Sequence, residues 1–247
     1  MSSPADQPGI RLNRFLARCG EASRRACDKL IASGLVRVNG RIADSPGIRV
    51  LPGDRVECRG RPLFLPETVS AVYNKPIGME VTLAEGSALS AVISGLPAGC
   101  VPVGRLDVET GGVLLFSNDG DLAFRLTHPR WLVEREYLLS LESSPDEGVL
   151  RALAKGVPIG EGEVCRPVRV GRSGPLGLVI VLTTGRYHEV RRMAAALGLG
   201  LAALERTRYG PVTLSGLGRA RLRRLGGRVL DDLYSCVGLD RRSSCGR

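Results

Sequence analysis

The sequence predicts an α+β protein in which a small N-terminal module precedes a larger domain built on a mixed, largely antiparallel sheet. First, two short arginine-rich helical patterns open the chain, and short strand-like runs follow them. Second, from about residue 70 onward, short apolar runs alternate with glycine-rich turns, as is typical of antiparallel strands. Third, these runs lie too close together for repeated βαβ units, which need a crossover helix between strands.

Changes in composition divide the chain of 247 residues, which is long enough to bury a sizeable core in one or two domains. We interpret residues 1–9 as a disordered tail and residues 10–61 as the N-terminal module. Residues 62–70 contain two prolines and are typical of a linker. Residues 71–238 then form the larger domain, and residues 239–247 form a C-terminal tail.

Helical spacing and capping residues define two helices in the module. Leu12 and Leu16 lie on one apolar face, and Gly20 marks the end of the first helix. Ser23 is suited to cap a second helix, because its hydroxyl can accept a hydrogen bond from a backbone N–H of the first turn. Gly34 ends the second helix.

A β-hairpin follows the second helix. Val36 and Val38 alternate with an arginine, and Asn39-Gly40 comes directly after them. This dipeptide is a strong signal for a tight turn, because both residues readily adopt a positive φ. The stretch "PGDRVEC" supplies a further short strand, so the module combines two helices with a small sheet.

Charge is distributed unevenly along the chain, whose formal net charge is +10. Residues 10–61 carry a net charge of +7 and residues 186–228 a net charge of +8, which leaves −5 for the remainder. Two basic surfaces indicate contact with a polyanion. Of the 35 basic residues only three are lysine, and arginine is the better bidentate ligand of phosphate.

The basic residues of the module lie off the apolar stripes of both helices and continue into the hairpin. A solvated helical face is the simpler explanation of one such run, but its continuation favours an RNA-binding surface. The stretch "RLNRFLARCGEASRRACDKLIASGLVRVNGRIA" resembles an S4 domain, a small RNA-binding (α-L) unit. The candidate RNA-binding residues here are Arg11, Arg14, Arg24, Arg25, Lys29, Arg37 and Asn39.

Several classes of protein are disfavoured by the composition. No stretch approaches 18 consecutive apolar residues, so we expect no membrane span, and the first residues do not resemble a secretory signal. Seven scattered cysteines without a CxxC pair, together with only two histidines, predict core thiols and no metal site. We expect a monomer in the reducing cytoplasm.

Asp107 is the candidate catalytic residue of the larger domain. Apolar runs flank it on both sides, so we expect its carboxylate in a loop between two strands, with residues 110–112 forming a tight reversal and residues 118–120 a second turn. A turn-capping aspartate is the alternative for such a motif alone. A catalytic pair with Glu109 is disfavoured, because residues i and i+2 of an extended chain point to opposite faces.

The longer context of Asp107 resembles one family. "GRLDVETGGVLLFSNDGDLAFRLTHP" (104–129) resembles the signature of the RsuA/RluB branch of pseudouridine synthases, which modify ribosomal RNA. Four further motifs come in that family's order: "YNKPIG" (73–78), "VEREYLLSL" (133–141), "GRYHEVRRMAAALG" (185–198) and "RTRYGPVTL" (206–214). With the S4-like module, the resemblance extends from residue 10 to about residue 238.

The resemblance implies a reaction and a set of residues. A pseudouridine synthase cuts the N1–C1′ bond of a uridine, turns the uracil and rejoins it through C5, without a cofactor. Asp107 matches the essential carboxylate, which either attacks the sugar or takes a proton from C2′, and Tyr137 matches the active-site tyrosine. Arg191 matches the basic residue expected to keep Asp107 ionised. Further substrate or RNA contacts are expected from Arg105, Thr110, Arg186 and Arg192.

Some positions depart from the family's pattern. Arg135 stands where a lysine is usual, Glu189 where a glutamine is usual, and Thr184 where an acidic residue is usual. We expect Glu189 to add negative charge near the catalytic carboxylate and its arginine. His188 is expected to have a structural role.

Two functional alternatives remain open. The C-terminal motifs resemble enzymes of the large ribosomal subunit more than those of the small subunit. A non-catalytic RNA-binding or ribosome-assembly factor is the other class, although such a relative would be expected to lose its catalytic residues. The expected partner is ribosomal RNA or a ribosome assembly intermediate, with no membrane and no small-molecule cofactor.

Overall fold

The computed structural model describes residues 9–241. The tail predicted for residues 1–9 lies outside this range except for Gly9, and so does the predicted C-terminal tail beyond residue 241. Within the described range, the N-terminal module contains the helices α1 (Leu12–Arg18) and α2 (Arg24–Ala32). Its strands are β1 (Ile10–Arg11), β2 (Val36–Val38), β3 (Arg41–Ile42), β4 (Arg49–Val50), β5 (Val56–Cys58) and β6 (Arg61–Leu63).

The predicted cap and hairpin of the module are confirmed. The backbone N–H of Ala26 donates to Ser23 Oγ at 3.3 Å, which satisfies one of the free donors at the start of α2. Asn39 and Gly40 have φ angles of 51° and 79°, as the tight turn between β2 and β3 requires. The four-stranded sheet has the order β3-β2-β5-β6, and the two helices pack beside it on one apolar core.

The boundaries of the predicted linker differ in the structure. Strand β6 pairs with β5 through Leu63, so the module extends two residues beyond the expected residue 61. The first strand of the larger domain begins at Ser70, the last residue of the expected linker. The connection is therefore reduced to residues 64–69.

The larger domain contains the remaining elements of the described chain. Its strands are β7 (Ser70–Lys75), β8 (Val101–Pro102), β9 (Thr110–Ser117), β10 (Arg135–Leu141), β11 (Val157–Pro158), β12 (Val164–Cys165), β13 (Arg169–Arg172), β14 (Gly177–Leu182), β15 (Leu201–Tyr209), β16 (Val212–Thr213) and β17 (Leu222–Arg224). Its helices are α3 (Ala88–Ile93), α4 (Gly120–Thr127), α5 (Glu147–Lys155), α6 (Glu189–Ala196) and α7 (Gly227–Ser235), with a 3-10 turn at Pro129–Trp131.

The main sheet has the order β13-β14-β10-β15-β9-β7-β17, with β8 paired to β9 and β16 to β15. Only β9 and β15 run parallel among the described strand pairs, so the prediction of a mixed, largely antiparallel sheet is confirmed. The sheet is packed on both faces. Along β9, Val113 and Leu115 belong to one core with α4 and α7, whereas Leu114 and Phe116 belong to the other core with α3, α5 and α6.

The prediction of a tight reversal at residues 110–112 is wrong. These residues are the first three of β9, and they pair in parallel with β15. Gly112 has a φ of 100°, and a Cβ atom there would collide with the backbone of Arg206. The glycine therefore permits two strands to approach closely, and the reversal occurs earlier, within residues 103–109.

The second predicted turn, at residues 118–120, is the start of a helix. Asp119 caps α4, because its Oδ1 accepts hydrogen bonds from the backbone N–H groups of Asp121 and Leu122. The other carboxylate oxygen accepts a hydrogen bond from the Tyr234 hydroxyl at 2.9 Å, which connects α4 to α7. The strand–cap–helix sequence thus fixes how β9 leads into α4.

The module and the larger domain meet through polar contacts. Arg14 of α1 forms an ion pair with Asp121 at 2.8 Å and lies 3.9 Å from Asp119, both at the start of α4. Arg18 donates to Thr68 Oγ1 at 3.0 Å, which holds the connection between the two parts against α1. Arg14, expected on the RNA-binding surface, is therefore engaged by the larger domain.

Among the described residues, no helix is long and apolar enough to cross a membrane.

Candidate active site

A cavity of about 350 Å³ opens beside the parallel pair of strands β9 and β15. The loop after β8 and the start of β9 form one side, and β10 and β15 form the floor. Residues 185–190, which lead into α6, form the opposite side. A volume of this size is within the range of small-ligand pockets and suits a single base with its sugar.

Asp107 lies at this cavity, in the loop between β8 and β9 as predicted. Its side chain is 34% exposed, so the carboxylate is accessible from the cavity but partly enclosed. The backbone N–H of Thr110 donates to the Asp107 carbonyl at 3.0 Å, which closes the turn that presents the side chain. The carboxylate oxygens remain available, and Oδ1 lies 3.3 Å from His188 Nε2.

His188 is brought to the carboxylate by an unusual backbone. The residue has a φ of 49° at the start of α6, a left-handed conformation that histidine adopts more readily than most residues. Its ring stacks on Tyr187, with centroids 3.9 Å apart and planes inclined by 14°. Such strained positions cluster at functional sites. His188 was expected to be structural, and its ring instead faces the candidate catalytic group.

Lys75 anchors the loop that carries Asp107. Its side chain is 1% exposed, and Nζ donates to the carbonyls of Val108 and Pro76 at 3.2 and 3.0 Å. Burial lowers the pKa of Lys75 to about 8. The negative charge of Asp107 acts in the opposite direction and raises this pKa, whereas the positive charge of Arg206 lowers it further. A buried cation thus lies behind the carboxylate and holds its loop.

Arg191 does not form the expected pair with Asp107 in this structure. Its Nη1 lies 3.1 Å from Glu109 Oε2, and its Nη2 donates to the Glu109 carbonyl at 2.8 Å. The guanidinium therefore holds the far side of the same loop. Glu109, at the end of the loop and 73% exposed, thus occupies the guanidinium that was predicted to face Asp107. The catalytic role of Arg191 stays a prediction.

Tyr137 lines the cavity from β10, with a side chain that is 8% exposed. In the sheet it pairs with Ile180 on one side and with Arg206 on the other, next to an irregularity in the β10–β15 register. Strand alternation directs Arg135, two residues earlier, to the same face. Tyr137 and Asp107 therefore meet at one cavity, as the sequence predicted.

Two polar groups at the cavity have no hydrogen-bond partner in the protein. Thr110 Oγ1 and Arg206 Nη2 are both buried and unpaired, although Arg206 Nε donates to the Val113 carbonyl at 2.8 Å. A buried unpaired polar group is costly unless something else satisfies it. Both residues line the cavity, but these two atoms are themselves covered by protein, so a substrate would reach them only after a local rearrangement of the wall.

Arg135 is held in the wall of the cavity by hydrogen bonds within the protein. Its guanidinium donates to the carbonyls of Leu126, Thr183 and Thr184 and to the Tyr209 hydroxyl, at 2.8 to 3.3 Å. It also lies 4.8 Å over the ring of Tyr209. This bonding fixes one wall of the cavity.

Glu189, which the sequence predicts to add negative charge near Asp107, lines the same cavity and is hydrogen-bonded within its own turn. The carboxylate is buried and accepts hydrogen bonds from Thr184 Oγ1 at 2.6 Å, from the backbone N–H of Arg186 at 3.1 Å and from Cys165 Sγ at 3.0 Å. Glu189 and Thr184, two of the three positions that depart from the family's pattern, therefore form one hydrogen-bonded pair. They close the turn before α6 and hold residues 185–188 against the cavity.

Comparisons with known proteins agree with this geometry. A family model described as RNA pseudouridylate synthase matches residues 69–196, and the S4 domain model matches residues 10–56. The chain belongs to the RNA pseudouridylate synthase family. It carries the S4 unit in front of the synthase domain, as the sequence predicted.

Individual relatives of the synthase cover most of its length. It is 35% identical over 93% of its chain to an uncharacterized RNA pseudouridine synthase of Aquifex aeolicus, covering 96% of that protein. It is 31% identical over 84% of its chain to ribosomal large subunit pseudouridine synthase B of Bacillus subtilis, covering 88% of that protein. A crystal structure of a pseudouridylate synthase superposes with a TM-score of 0.66 at 28% identity, covering 91% of this chain and all of the other.

The other candidate residues of the synthase domain are distributed between the cavity and its surroundings. Arg105 and Arg186 line the cavity and are exposed. Arg192 does not line it. Its guanidinium forms an ion pair with Glu163 at 2.9 Å and donates to the Ile159 carbonyl, so it ties α6 to the β11–β12 hairpin.

The candidate residues of the S4 unit also separate into two groups. Arg24, Arg25, Lys29 and Arg37 are exposed, and so is Arg11 at the end of β1. Asn39 is engaged locally, because its Nδ2 donates to Asp54 and its Oδ1 accepts from the backbone N–H of Arg55. This amide connects the turn between β2 and β3 to the residues before β5, and its contact with RNA stays a prediction.

Sequence reasoning did not assign a role to Lys75 or Arg206, although both lie in motifs that mark the family. Lys75 is the lysine of "YNKPIG", and Arg206 opens "RTRYGPVTL". Each is almost completely buried, at 1% and 3% exposure. A lysine inside a strand that is otherwise buried was the available signal, because an unpaired buried ammonium is rare.

Proposed function

We propose that the protein converts a uridine of large-subunit ribosomal RNA to pseudouridine, with Asp107 as the catalytic carboxylate, in the cytoplasm where ribosomal RNA is modified. The observation that carries the proposal is the meeting of Asp107 and Tyr137 at a cavity sized for one nucleotide. The choice of the large subunit is supported by relatives named ribosomal large subunit pseudouridine synthase B. The S4 domain supports RNA as the substrate.

The target nucleotide must leave its stack to reach the cavity. Flipping costs a few kcal/mol, and contacts to the flipped base and to the RNA backbone offset it. The ring of Tyr137 offers a stacking surface for the uracil, since aromatic side chains stack on any base. Arg105 and Arg186, which line the cavity and are exposed, provide cationic groups for the phosphates of the nucleotide.

Two mechanisms are open to the Asp107 carboxylate, and the sequence does not distinguish them. In one, the carboxylate attacks C1′, the N1–C1′ bond breaks, and the ester is lost when C5 of the rotated uracil bonds to C1′. In the other, the carboxylate removes the proton from C2′, the N1–C1′ bond breaks so that the uracil leaves C1′, and a proton returns to C2′ after C5 has bonded to C1′. In both, the proton on C5 is finally released and N1 gains one, so the net reaction is an isomerisation.

The residues around Asp107 serve both forms. An ionised carboxylate in a partly enclosed site needs positive charge nearby, and Lys75 supplies it from behind the loop. His188 Nε2, 3.3 Å from Oδ1, is placed to stabilise the carboxylate when its ring is protonated. The hydroxyl of Tyr137 is a candidate to assist removal of the C5 proton.

The test is conversion of ribosomal RNA by the purified protein. Transcripts of large-subunit and small-subunit ribosomal RNA, labelled with tritium at C5 of uridine, would be incubated with the enzyme and the released tritium counted. We expect release from the large-subunit RNA only, and carbodiimide-dependent primer-extension stops would then locate the uridine. Release from the small-subunit RNA alone would correct the substrate, and release from neither, with RNA binding intact, would favour a non-catalytic RNA-binding factor.

A further inference from the structure

An exposed aromatic cluster lies just outside the cavity, on α4 and the 3-10 turn that follows. The rings of Phe124, His128 and Trp131 contact one another pairwise, with centroids 5.1 to 5.6 Å apart and inclined planes. Trp131 is partly buried against the core beneath α4, whereas Phe124 is 55% exposed and His128 is exposed. The cluster is therefore anchored at one ring and open to solvent at the others.

Two arginines flank this Phe124–His128–Trp131 cluster. The guanidinium carbons of Arg125 and Arg130 lie 5.4 and 5.7 Å from the Trp131 ring centroid. Arg125 also donates to the carbonyls of Val237 and Gly238, which secures the chain after α7. Exposed rings together with guanidinium groups have the composition of surfaces that bind unpaired nucleotides, where rings stack on bases and cations face phosphates.

The position of α4 gives the cluster its significance. At the C-terminal end of the helix, Thr127 lines the candidate active-site cavity. Asp121 and Arg125 of the same helix line a second cleft, of about 560 Å³, between the S4 unit and the synthase domain. That cleft is rich in arginine and also contains Arg11 and Arg24. The helix that carries the cluster thus spans from the basic cleft to the cavity.

We propose that the Phe124–His128–Trp131 cluster is a stacking platform for an unpaired base of the substrate RNA, next to the flipped uridine. An RNA strand that joins the S4 unit to the cavity passes over α4, and its bases meet exposed rings there. The core does not need these rings at the surface, since Phe124 adds little to packing at its exposure. The inference rests on the proposed function, because it takes RNA as the occupant.

Fluorescence gives a direct test, because Trp131 is the only tryptophan in the chain. The full-length Asp107→Asn protein would be titrated with a transcript of large-subunit ribosomal RNA, so that binding is followed without turnover. We expect quenching of the Trp131 emission at saturation, as stacking of a base within the cluster requires. Unchanged emission at saturating RNA, with binding confirmed on filters, would overturn the proposal.

Substitution of Phe124 tests the energetic contribution. Phe124→Leu keeps an apolar side chain but removes the ring, and we expect about tenfold weaker RNA binding with an unchanged slope of affinity against salt. Phe124→Tyr should bind as the wild type does. Phe64→Leu is the matched control, because Phe64 is 80% exposed in the linker. Equal losses for the Phe124→Leu and Phe64→Leu proteins, or no loss for the first, would contradict a platform on α4.

Kinetics distinguish failure of the platform from failure of the proposed function. In the otherwise wild-type enzyme, Phe124→Leu should raise KM about tenfold and leave kcat unchanged, because the platform does not touch the reacting atoms. Pseudouridine formation with unaltered KM would sink the platform and leave the function intact. If the wild-type enzyme forms no pseudouridine but RNA quenches the Trp131 emission, the proposed function fails and the platform stands. Weaker binding to ribosome assembly particles, but not to protein-free RNA, would assign the cluster to a protein partner and overturn the proposal.

Discussion

Asp107 is presented by a loop that is held on three sides. Lys75 binds the Val108 carbonyl from below, Arg191 binds the loop at Glu109, and His188 faces the carboxylate itself. A catalytic group must be held within a fraction of an ångström, and here each restraint comes from a strand or a helix of the synthase domain. The electrostatic balance of the site is therefore built into the same contacts that fix its geometry.

The first prediction concerns the carboxylate. Asp107→Asn should fold and bind RNA but lose more than about 99% of its turnover, since removal of an essential catalytic group costs orders of magnitude. Tritium release from labelled ribosomal RNA measures it. Glu85→Gln is the control, because this carboxylate is exposed and does not line the cavity, so turnover should stay within a few-fold of wild type. Substantial turnover by the Asp107→Asn protein would remove Asp107 from the mechanism.

Tyr137 carries a second prediction, which separates its ring from its hydroxyl. Tyr137→Phe should keep stacking and bind RNA normally, yet lose turnover or stall with the uracil detached. Tyr137→Leu should also weaken binding, since it removes the stacking surface. Dissociation constants and single-turnover rates of both variants give the comparison. Equal turnover by the Phe variant and the wild type would limit Tyr137 to stacking.

The pKa of Lys75 predicts how turnover depends on pH. Because burial lowers that pKa to about 8, the ammonium is present below this pH and is lost as the pH rises through it. Loss of the cation behind Asp107 should lower kcat/KM, so we expect an alkaline limb near pH 8. In Lys75→Arg the charge persists and the limb should move to higher pH. If the alkaline limb of kcat/KM stays near pH 8 in the Lys75→Arg protein, a group other than Lys75 causes it.

Lys75 should affect stability in the opposite direction: its contribution to the free energy of unfolding should increase as the pH rises above about 8. The ordinary pKa of lysine in the unfolded chain is 10.5, so between about pH 8 and pH 10.5 the unfolded chain binds more protons than the folded protein. This group alone therefore makes unfolding less favourable as the pH rises in that window. A fall in turnover near pH 8 is thus not explained by unfolding through Lys75, and denaturant titrations at several pH values separate the two effects.

At the scale of elements, local patterns in the sequence predicted what local forces decide. The cap at Ser23, the turn at Asn39-Gly40 and the strands around Asp107 follow from backbone chemistry and apolar alternation, and all are present. Residues 110–112 were predicted as a turn because glycine favours turns, but their conformation is set by β15, nearly a hundred residues later. Arg191 was paired with Asp107 by resemblance, whereas the exposed Glu109 competes for it.

Gly112 gives an element-scale prediction. Gly112→Ala should destabilise the protein by about 3 kcal/mol, because the new methyl group meets the Arg206 backbone at a φ that L residues rarely adopt. Gly171→Ala in the edge strand β13 is the control, since a Cβ there meets nothing within 4 Å. Urea unfolding of both variants measures the difference. Comparable stability of the two variants would show that β9 and β15 can move apart.

For the whole molecule, the uneven charge of the sequence corresponds to a division of labour between its two parts. The S4 unit has exposed cations on α2, and the candidate catalytic residues all lie in the synthase domain. Arg14 is not available as a free cation, because Asp121 holds it at the junction. That contact was invisible in the sequence, where the pair lies more than a hundred residues apart. It connects α1 of the S4 unit to the start of α4.

Exposed cations of α2 are therefore expected to set affinity without taking part in the chemistry. Replacing Arg24, Arg25 and Lys29 together by glutamate should raise KM strongly and flatten the salt dependence of binding, because phosphate contacts release counterions. The three side chains are exposed and outside the core, and the favourable effect of glutamate at 24 and 25 on the helix dipole opposes the unfavourable effect at Lys29 in the last turn, so the fold should persist. At saturating RNA, kcat should be unchanged, since the lost contacts are the same in the ground and transition states. A salt series of kcat and KM measures both quantities, and a collapse of kcat at constant KM would place α2 within the catalytic machinery.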